Sequence, residues 1–285
     1  MANTIACGCL SMSGGISFGG ATMPVLTVGD LHLYYEVHGQ GPWLVLAHGA
    51  AGNHLSWWQQ VPVFAKRYRC IIFDHRGFGL SRNGEGEVEP ARFVDDLEAL
   101  LDHLGAQEVR LVGQSMGGLT CLGFALRHPE RVRALVMAST LAGMRRPTWR
   151  AASEEVRAYT LRLWERRRQG IRRALSPSFA RAHPHLAFLY RQIATLNPPR
   201  PPDLPRRYPI IAQDPTDLTR LVMPVLFIVG EEDDLFPPPL VEVGARLLPN
   251  ARLLVVPGAG HSVYYERPDV FNRAVLEFLA EVDGT

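Results

Sequence analysis

The stretch Leu111-Val112-Gly113-Gln114-Ser115-Met116-Gly117-Gly118 joins a short run at 109–112 to an amphipathic one at 116–127, which His128-Pro129 closes. The first run is largely apolar and carries β-branched residues, so it reads as a buried strand; the second reads as a helix. A strand that turns straight into a helix leaves almost no room for side chains beside the turn, which accounts for glycine at 113 and 117. Such a turn holds the Ser115 hydroxyl in the open and aims the first N–H groups of the helix at whatever the hydroxyl attacks. The bland alternative is a glycine-rich turn with a solvated serine. A strand before and a helix after favour a nucleophile.

Three further features accompany this turn: His48-Gly49-Ala50-Ala51-Gly52, Asp74-His75-Arg76-Gly77-Phe78-Gly79-Leu80-Ser81, and the pair Gly230-Glu231-Glu232-Asp233 with Gly260-His261. Each is weak alone. In this order and spacing they make the chain, from about residue 25 to about 279, resemble the α/β-hydrolase family. That resemblance implies an α/β fold with a doubly wound, mostly parallel sheet and an inserted helical cap. It also implies a nucleophile, acid and base met in the order Ser115, Asp233, His261. Two oxyanion N–H groups are implied as well, at Ala50 after His-Gly and at Met116 after the serine. In the family the loop at 74–81 is chiefly architectural, so His75 is expected to order a loop.

The run of elements agrees with a doubly wound sheet. Strand-like runs at 25–28 and 31–37 flank Gly29-Asp30 as a hairpin, and 43–47 is a continuous apolar strand of the kind buried on both faces. Further strands are expected at 70–73, 132–138, 225–229 and 252–256, with helices at 55–66, 90–104 and 268–279. Residues 141–220 break the alternation with helical stretches, prolines and no convincing strand. The expected organisation is therefore a core of 23–140 and 221–285, a cap of 141–220, and a disordered extension of 1–22. That extension lacks both the basic start and the apolar centre of a secretory signal.

Composition narrows the function classes. A chain of 285 residues, 47% of them apolar, suffices for one large core with an insertion. No apolar run reaches the roughly 18 residues of a membrane span, so a soluble protein without a membrane partner is expected. Cys7, Cys9, Cys70 and Cys121 form no disulfide-like framework; the last two fall in a strand and a helix and read as buried thiols of a reducing, cytoplasmic setting. The net charge of +2 is uneven: 141–220 holds 16 Arg against 6 Asp or Glu, a local +10 that leaves −8 elsewhere. Arginine replaces lysine almost everywhere and no base-stacking motif accompanies it, so a solvated helical face is the reading and nucleic acid is not a partner. His183-Pro184-His185 has metal-like spacing, but the proline and the lack of a nearby acid argue against zinc. No metal and no cofactor are called for. Trp149, Tyr159, Trp164, Phe179, Phe188 and Tyr190 either line an apolar pocket under the cap or fill its core.

A serine hydroxyl needs a base to take its proton, and histidine suits neutral pH. Of ten histidines, His261 follows a late strand behind glycines; His48 is the rival, better placed for positioning backbone. Four acids compete at 231–234. The family pattern G-x-x-D-x-x-x-P falls on Asp233 and Pro237, with Asp234 the second choice. Some relatives carry the acid just after the preceding strand, where Ser139-Thr140-Leu141-Ala142-Gly143 offers none. Serine at 115 sets the chain apart from haloalkane dehalogenases and epoxide hydrolases, which use aspartate there. The resulting expectation is a hydrolase for a small or medium, largely apolar carboxylic ester or lactone, acting through an acyl-Ser115 intermediate. The alternatives are a carbon–carbon bond hydrolase of ring-cleavage products, from whose oxyanion loop Ala50-Ala51-Gly52-Asn53 departs, and a slow-turnover ligand sensor.

Overall fold

The computed structural model describes residues 24–84, 88–141, 143–169, 174–199, 201–212 and 214–284, together with the short paired strands Ser17–Phe18 and Ala21–Thr22. That pair, Ser17↔Thr22 and Phe18↔Ala21, is antiparallel and falls within the expected extension 1–22. Cys7 and Cys9 lie outside the described residues.

Strands β1 (Val25–Val28) and β2 (Leu31–His38) form the antiparallel hairpin across Gly29-Asp30. Then come β3 (Trp43–Ala47), a 3₁₀ turn at His54–Trp57, α1 (Val61–Phe64), β4 (Arg69–Phe73), α2 (Phe93–His103), β5 (Val109–Gln114), α3 (Gly117–Arg127) and β6 (Val132–Ala138). Helices α4 (Arg145–Ala151), α5 (Glu154–Arg168), α6 (Pro177–Ala182) and α7 (Pro184–Thr195) follow. The chain returns through β7 (Val225–Gly230), α8 (Pro238–Ala245), β8 (Ala251–Val256), α9 (Val263–Glu266) and α10 (Pro268–Asp283).

Eight strands make one sheet in the order β1-β2-β4-β3-β5-β6-β7-β8, parallel from β4 through β8. A parallel strand covered on both faces has no polar side, so β5 and β7 are buried at every position. Alternate residues serve opposite faces. Val45, Leu111, Met137 and Phe227 join α2, α3 and α8 in one core, while Leu44, Val112, Val136 and Ile228 join α1, α9 and α10 in the other. Each such side chain contributes about 1.5–3 kcal/mol by leaving water. Arg110 and Gln114 are the buried polar residues of β5, and Arg110 Nε donates to Asp283 Oδ1 at 3.0 Å. That bond extends α10 four residues past the expected end at Leu279, and Gly284 then closes the helix at φ +72°.

The helix expected at 55–66 is two pieces. Asn53 caps the 3₁₀ turn by accepting from Leu55 N–H at 3.1 Å, and α1 starts afresh where Pro62, which has no N–H to give, sits in a first turn. Pro90 likewise opens a 3₁₀ turn at Pro90–Arg92 before α2.

Between β6 and β7 no strand occurs among the described residues. Helix α5 carries Glu154 and Glu155 in its first turn and Arg166, Arg167 and Arg168 in its last, a distribution that complements the helix dipole. Trp149 and Trp164 stack at 5.3 Å and Phe179 is buried in the second core, whereas Phe188 and Tyr159 face solvent. Cys70 and Cys121 are buried and unpaired. Among the described residues no helix is long and apolar enough to cross a membrane, and no group of three His, Cys, Asp or Glu is placed to hold a metal ion.

Candidate active site

The carboxyl ends of β3, β5, β7 and β8 bring the candidate residues to one edge of the sheet. At the β5–α3 junction Ser115 has φ +49°, a left-handed conformation that costs a non-glycine residue about 1–2 kcal/mol. Its neighbours hold it there. Ser115 N–H donates to Ala138 O at 3.0 Å, and Ser115 O accepts from Thr140 Oγ1 at 2.7 Å and from Gly118 N–H at 3.0 Å. A Cβ at 117 would fall 2.1 Å from Ala47 O, so the helix can start this close to β3 only with glycine there.

Ser115 Oγ lies 3.0 Å from His261 Nε2, and His261 Nδ1 lies 2.9 Å from Asp233 Oδ2. The other carboxylate oxygen of Asp233 accepts from Leu235 N–H at 2.9 Å and Phe236 N–H at 3.0 Å, so the carboxylate cannot turn away. With Asp233 as acceptor, Nδ1 carries the imidazole proton and Nε2 offers its lone pair to the serine hydroxyl. The Phe236 ring stacks over His261 at 6.0 Å, and both His261 and Asp233 are buried. Of the remaining acids, Asp234 pairs with Arg167 of α5, Glu231 accepts from Gly258 N–H at 3.1 Å, and Glu232 is exposed.

His48 stays away from the serine hydroxyl. Its Nδ1 donates to Gly49 O at 2.8 Å and its Nε2 accepts from His75 N–H at 3.0 Å. Complete burial pushes its pKa down to about 4, against the opposing pull of the Asp74 charge, so the ring is neutral. Burial also holds His75 well below the usual histidine range, and its Nε2 meets Thr120 Oγ1 at 2.8 Å. His48 joins two stretches of backbone, and His75 joins its loop to α3 through Thr120. Gly49 O, held by His48 and by Gly52 N–H at 2.9 Å, fixes the peptide plane whose other side carries Ala50 N–H. A Cβ at 49 would meet Gln114 Oε1 at 2.0 Å and Ser115 Cβ at 3.1 Å, so this loop runs against the serine. Ala50 packs against the cluster containing Met116, whose helical φ of −56° makes its N–H the first of the α3 turn.

The sequence named Asn53 and Tyr190 for other reasons, but carried no sign that they and Asn197 and Glu266 tie the helical segment to these loops. Asn53 Nδ2 donates to Ile193 O at 2.9 Å, and Asn197 bridges Gly52 O and Gly79 N–H. Tyr190 OH meets Ser262 Oγ at 2.8 Å. Glu266 is buried and accepts from Ser176 N–H at 3.0 Å and Gly260 N–H at 3.1 Å, linking the start of α6 to the residue before His261. Burial pushes its carboxyl up, with these N–H groups opposing. Nothing local marks Glu266 except its place five residues after His261.

Comparison with known proteins agrees with this fold. The family model described as alpha/beta hydrolase fold matches residues 42–268. A putative carbamate hydrolase of Azorhizobium caulinodans is 30% identical over 92% of this chain and 100% of its own length. A 2-hydroxymuconate semialdehyde hydrolase of Pseudomonas putida is 32% identical over 87% of each chain. Among solved structures, a thermophilic esterase from Thermogutta terrifontis superposes with a TM-score of 0.72 at 30% identity, covering 91% of this chain and 97% of that one.

Proposed function

The chain belongs to the α/β-hydrolase family, and we propose that it is a serine hydrolase cleaving a carboxylic ester or lactone of a small to medium apolar substrate. The observation that carries this reading is the continuous hydrogen-bonded line from Ser115 Oγ through His261 to Asp233. In the reaction His261 Nε2 takes the hydroxyl proton as Oγ attacks the acyl carbon, and Asp233 stabilises the imidazolium that results. The N–H groups of Ala50 and Met116 receive the oxyanion, a contribution of about 2.7–4 kcal/mol per donor in comparable sites. His261 then protonates the leaving alkoxide, and a water deprotonated by the same nitrogen hydrolyses acyl-Ser115. No metal or cofactor enters these steps.

Residues 141–220 act as the cap of this site. Support comes from their bonds to the loops after β3, β4, β7 and β8, and from Tyr190, which reaches Ser262 beside His261. The unpaired thiols of Cys70 and Cys121 support a reducing, cytoplasmic setting. The Pseudomonas putida relative favours a second reading, carbon–carbon bond cleavage of a ring-cleavage product. Two experiments test the proposal. A fluorophosphonate should add once, on Ser115, as read by intact mass, and Ser115→Ala should take up none. Turnover across a panel of esters, lactones, a carbamate and vinylogous diketones then separates the readings: preference for the diketones would replace the ester assignment, and labelling that survives Ser115→Ala would end both.

A further inference from the structure

Trp164 and Arg167 stand three residues apart on α5, hence on one face, and both turn to the loop that carries Asp233. Trp164 Nε1–H donates to Leu235 O at 2.8 Å, and the N–H of the same Leu235 holds Asp233 Oδ1 at 2.9 Å. Arg167 pairs with Asp234, the residue next to Asp233; the two side chains are 19% and 16% exposed, so their charges are only partly screened. We propose that Arg167 is a positioning residue: it anchors cap helix α5 to the acid loop and cancels the charge of Asp234 beside the Asp233–His261 pair.

The inference rests on the reading of Ser115, His261 and Asp233 as a catalytic set, and it adds a role for two residues outside that set. Several charges face His261. Asp233 bonds it directly, Glu266 of α9 holds the preceding N–H, and Asp234 interacts with it through space. Among the described residues Arg167 is the cation paired with Asp234 at this loop, while Arg145 of α4 lies over the far partner of the contact, the Trp164 ring, at 4.3 Å. Burial pushes the Asp234 carboxyl up and Arg167 pulls it back. With Arg167 present, Asp234 and its partner sum to no net charge near the imidazole. Without it, an unbalanced carboxylate favours the imidazolium and delays the neutral base to higher pH. Without Asp234, an unbalanced guanidinium does the reverse.

The test follows the rate of fluorophosphonate labelling of Ser115 against pH in the full-length protein, with the His261 Cε1–H resonance titrated by NMR in parallel. Arg167→Gln should move the acid limb of the labelling profile up by roughly 0.5–1 pH unit, the size expected for one unit charge a few ångströms beyond contact. Asp234→Asn should move it down by a similar amount. The double variant should return close to the parent, and Arg167→Lys should stay near it. A cap helix that merely loosened would lower rates in both single variants without shifts of opposite sign. Acid limbs that stay put, or that move in the same direction in both, overturn the proposal. If Ser115 takes no label in the parent, the catalytic reading fails instead, and the His261 resonance alone then decides whether Arg167 and Asp234 tune the ring.

Discussion

Acidification should weaken this fold through His48. An unfolded chain binds a proton at His48 near pH 6.5, whereas the buried ring holds out until about 4. The folded-state value is depressed, so the stability it represents is fully present above pH 6.5 and is lost as the pH falls towards 4. A gap of about 2.5 units, at about 1.4 kcal/mol per unit, amounts to about 3 kcal/mol, a large share of the 5–15 kcal/mol typical of a folded domain. His75, depressed in the same direction by burial, adds to the slope. His48→Gln isolates the effect. Gln retains an acceptor for His75 N–H but loses the donor to Gly49 O, so the variant should be less stable at pH 7 by about 1–2 kcal/mol. Its stability should nevertheless fall less steeply, by roughly 1.4 kcal/mol per pH unit near pH 5, so that the two curves converge. Urea unfolding followed by tryptophan fluorescence at pH 7, 6 and 5 reads both quantities. Parallel curves for parent and variant would refute the argument, since they would mean that His48 takes up its proton in the folded state as freely as in the unfolded one.

Asp233→Asn should lower kcat on a model ester by up to about 10⁴, because the amide no longer enforces the Nδ1–H tautomer; Asp234→Asn, measured alongside at its own optimum pH, should lose far less. A larger loss at 234 would place the acid one residue on. Ser115→Gly should raise the urea midpoint by an amount equivalent to about 1 kcal/mol, because glycine relieves the φ of +49°, while abolishing fluorophosphonate uptake. An unchanged or lower midpoint would show that the elbow stores no such strain.

Strands whose two faces are both buried were the most legible part of the chain. Runs at 43–47 and 132–138, the second broken only by exposed Arg133, coincide with β3 and β6 because a nearly continuous apolar segment has no other economical place to go. The helix expected over 55–66 failed for a local reason, Pro62, which was visible in the sequence and outweighs the apolar periodicity around it. Among the four acids at 231–234 only the family pattern preferred Asp233, with Asp234 second. Their surroundings differ in three dimensions: the N–H groups of Leu235 and Phe236 close on Asp233, while α5 brings Arg167 to Asp234. Contacts such as Asn53 with Ile193 or Ser176 with Glu266 were illegible, since they join residues 140 and 90 positions apart and leave no period or spacing behind.

The segment from Trp164 to Asn197 is stitched to the sheet's working edge at its beginning, middle and end. On the proposed reading of 141–220 as a cap, lid and floor are mechanically one piece: raising α5 would pull the Leu235 carbonyl and with it the Phe236 N–H that holds Asp233, and raising the start of α6 would pull through Glu266 on the residue before His261.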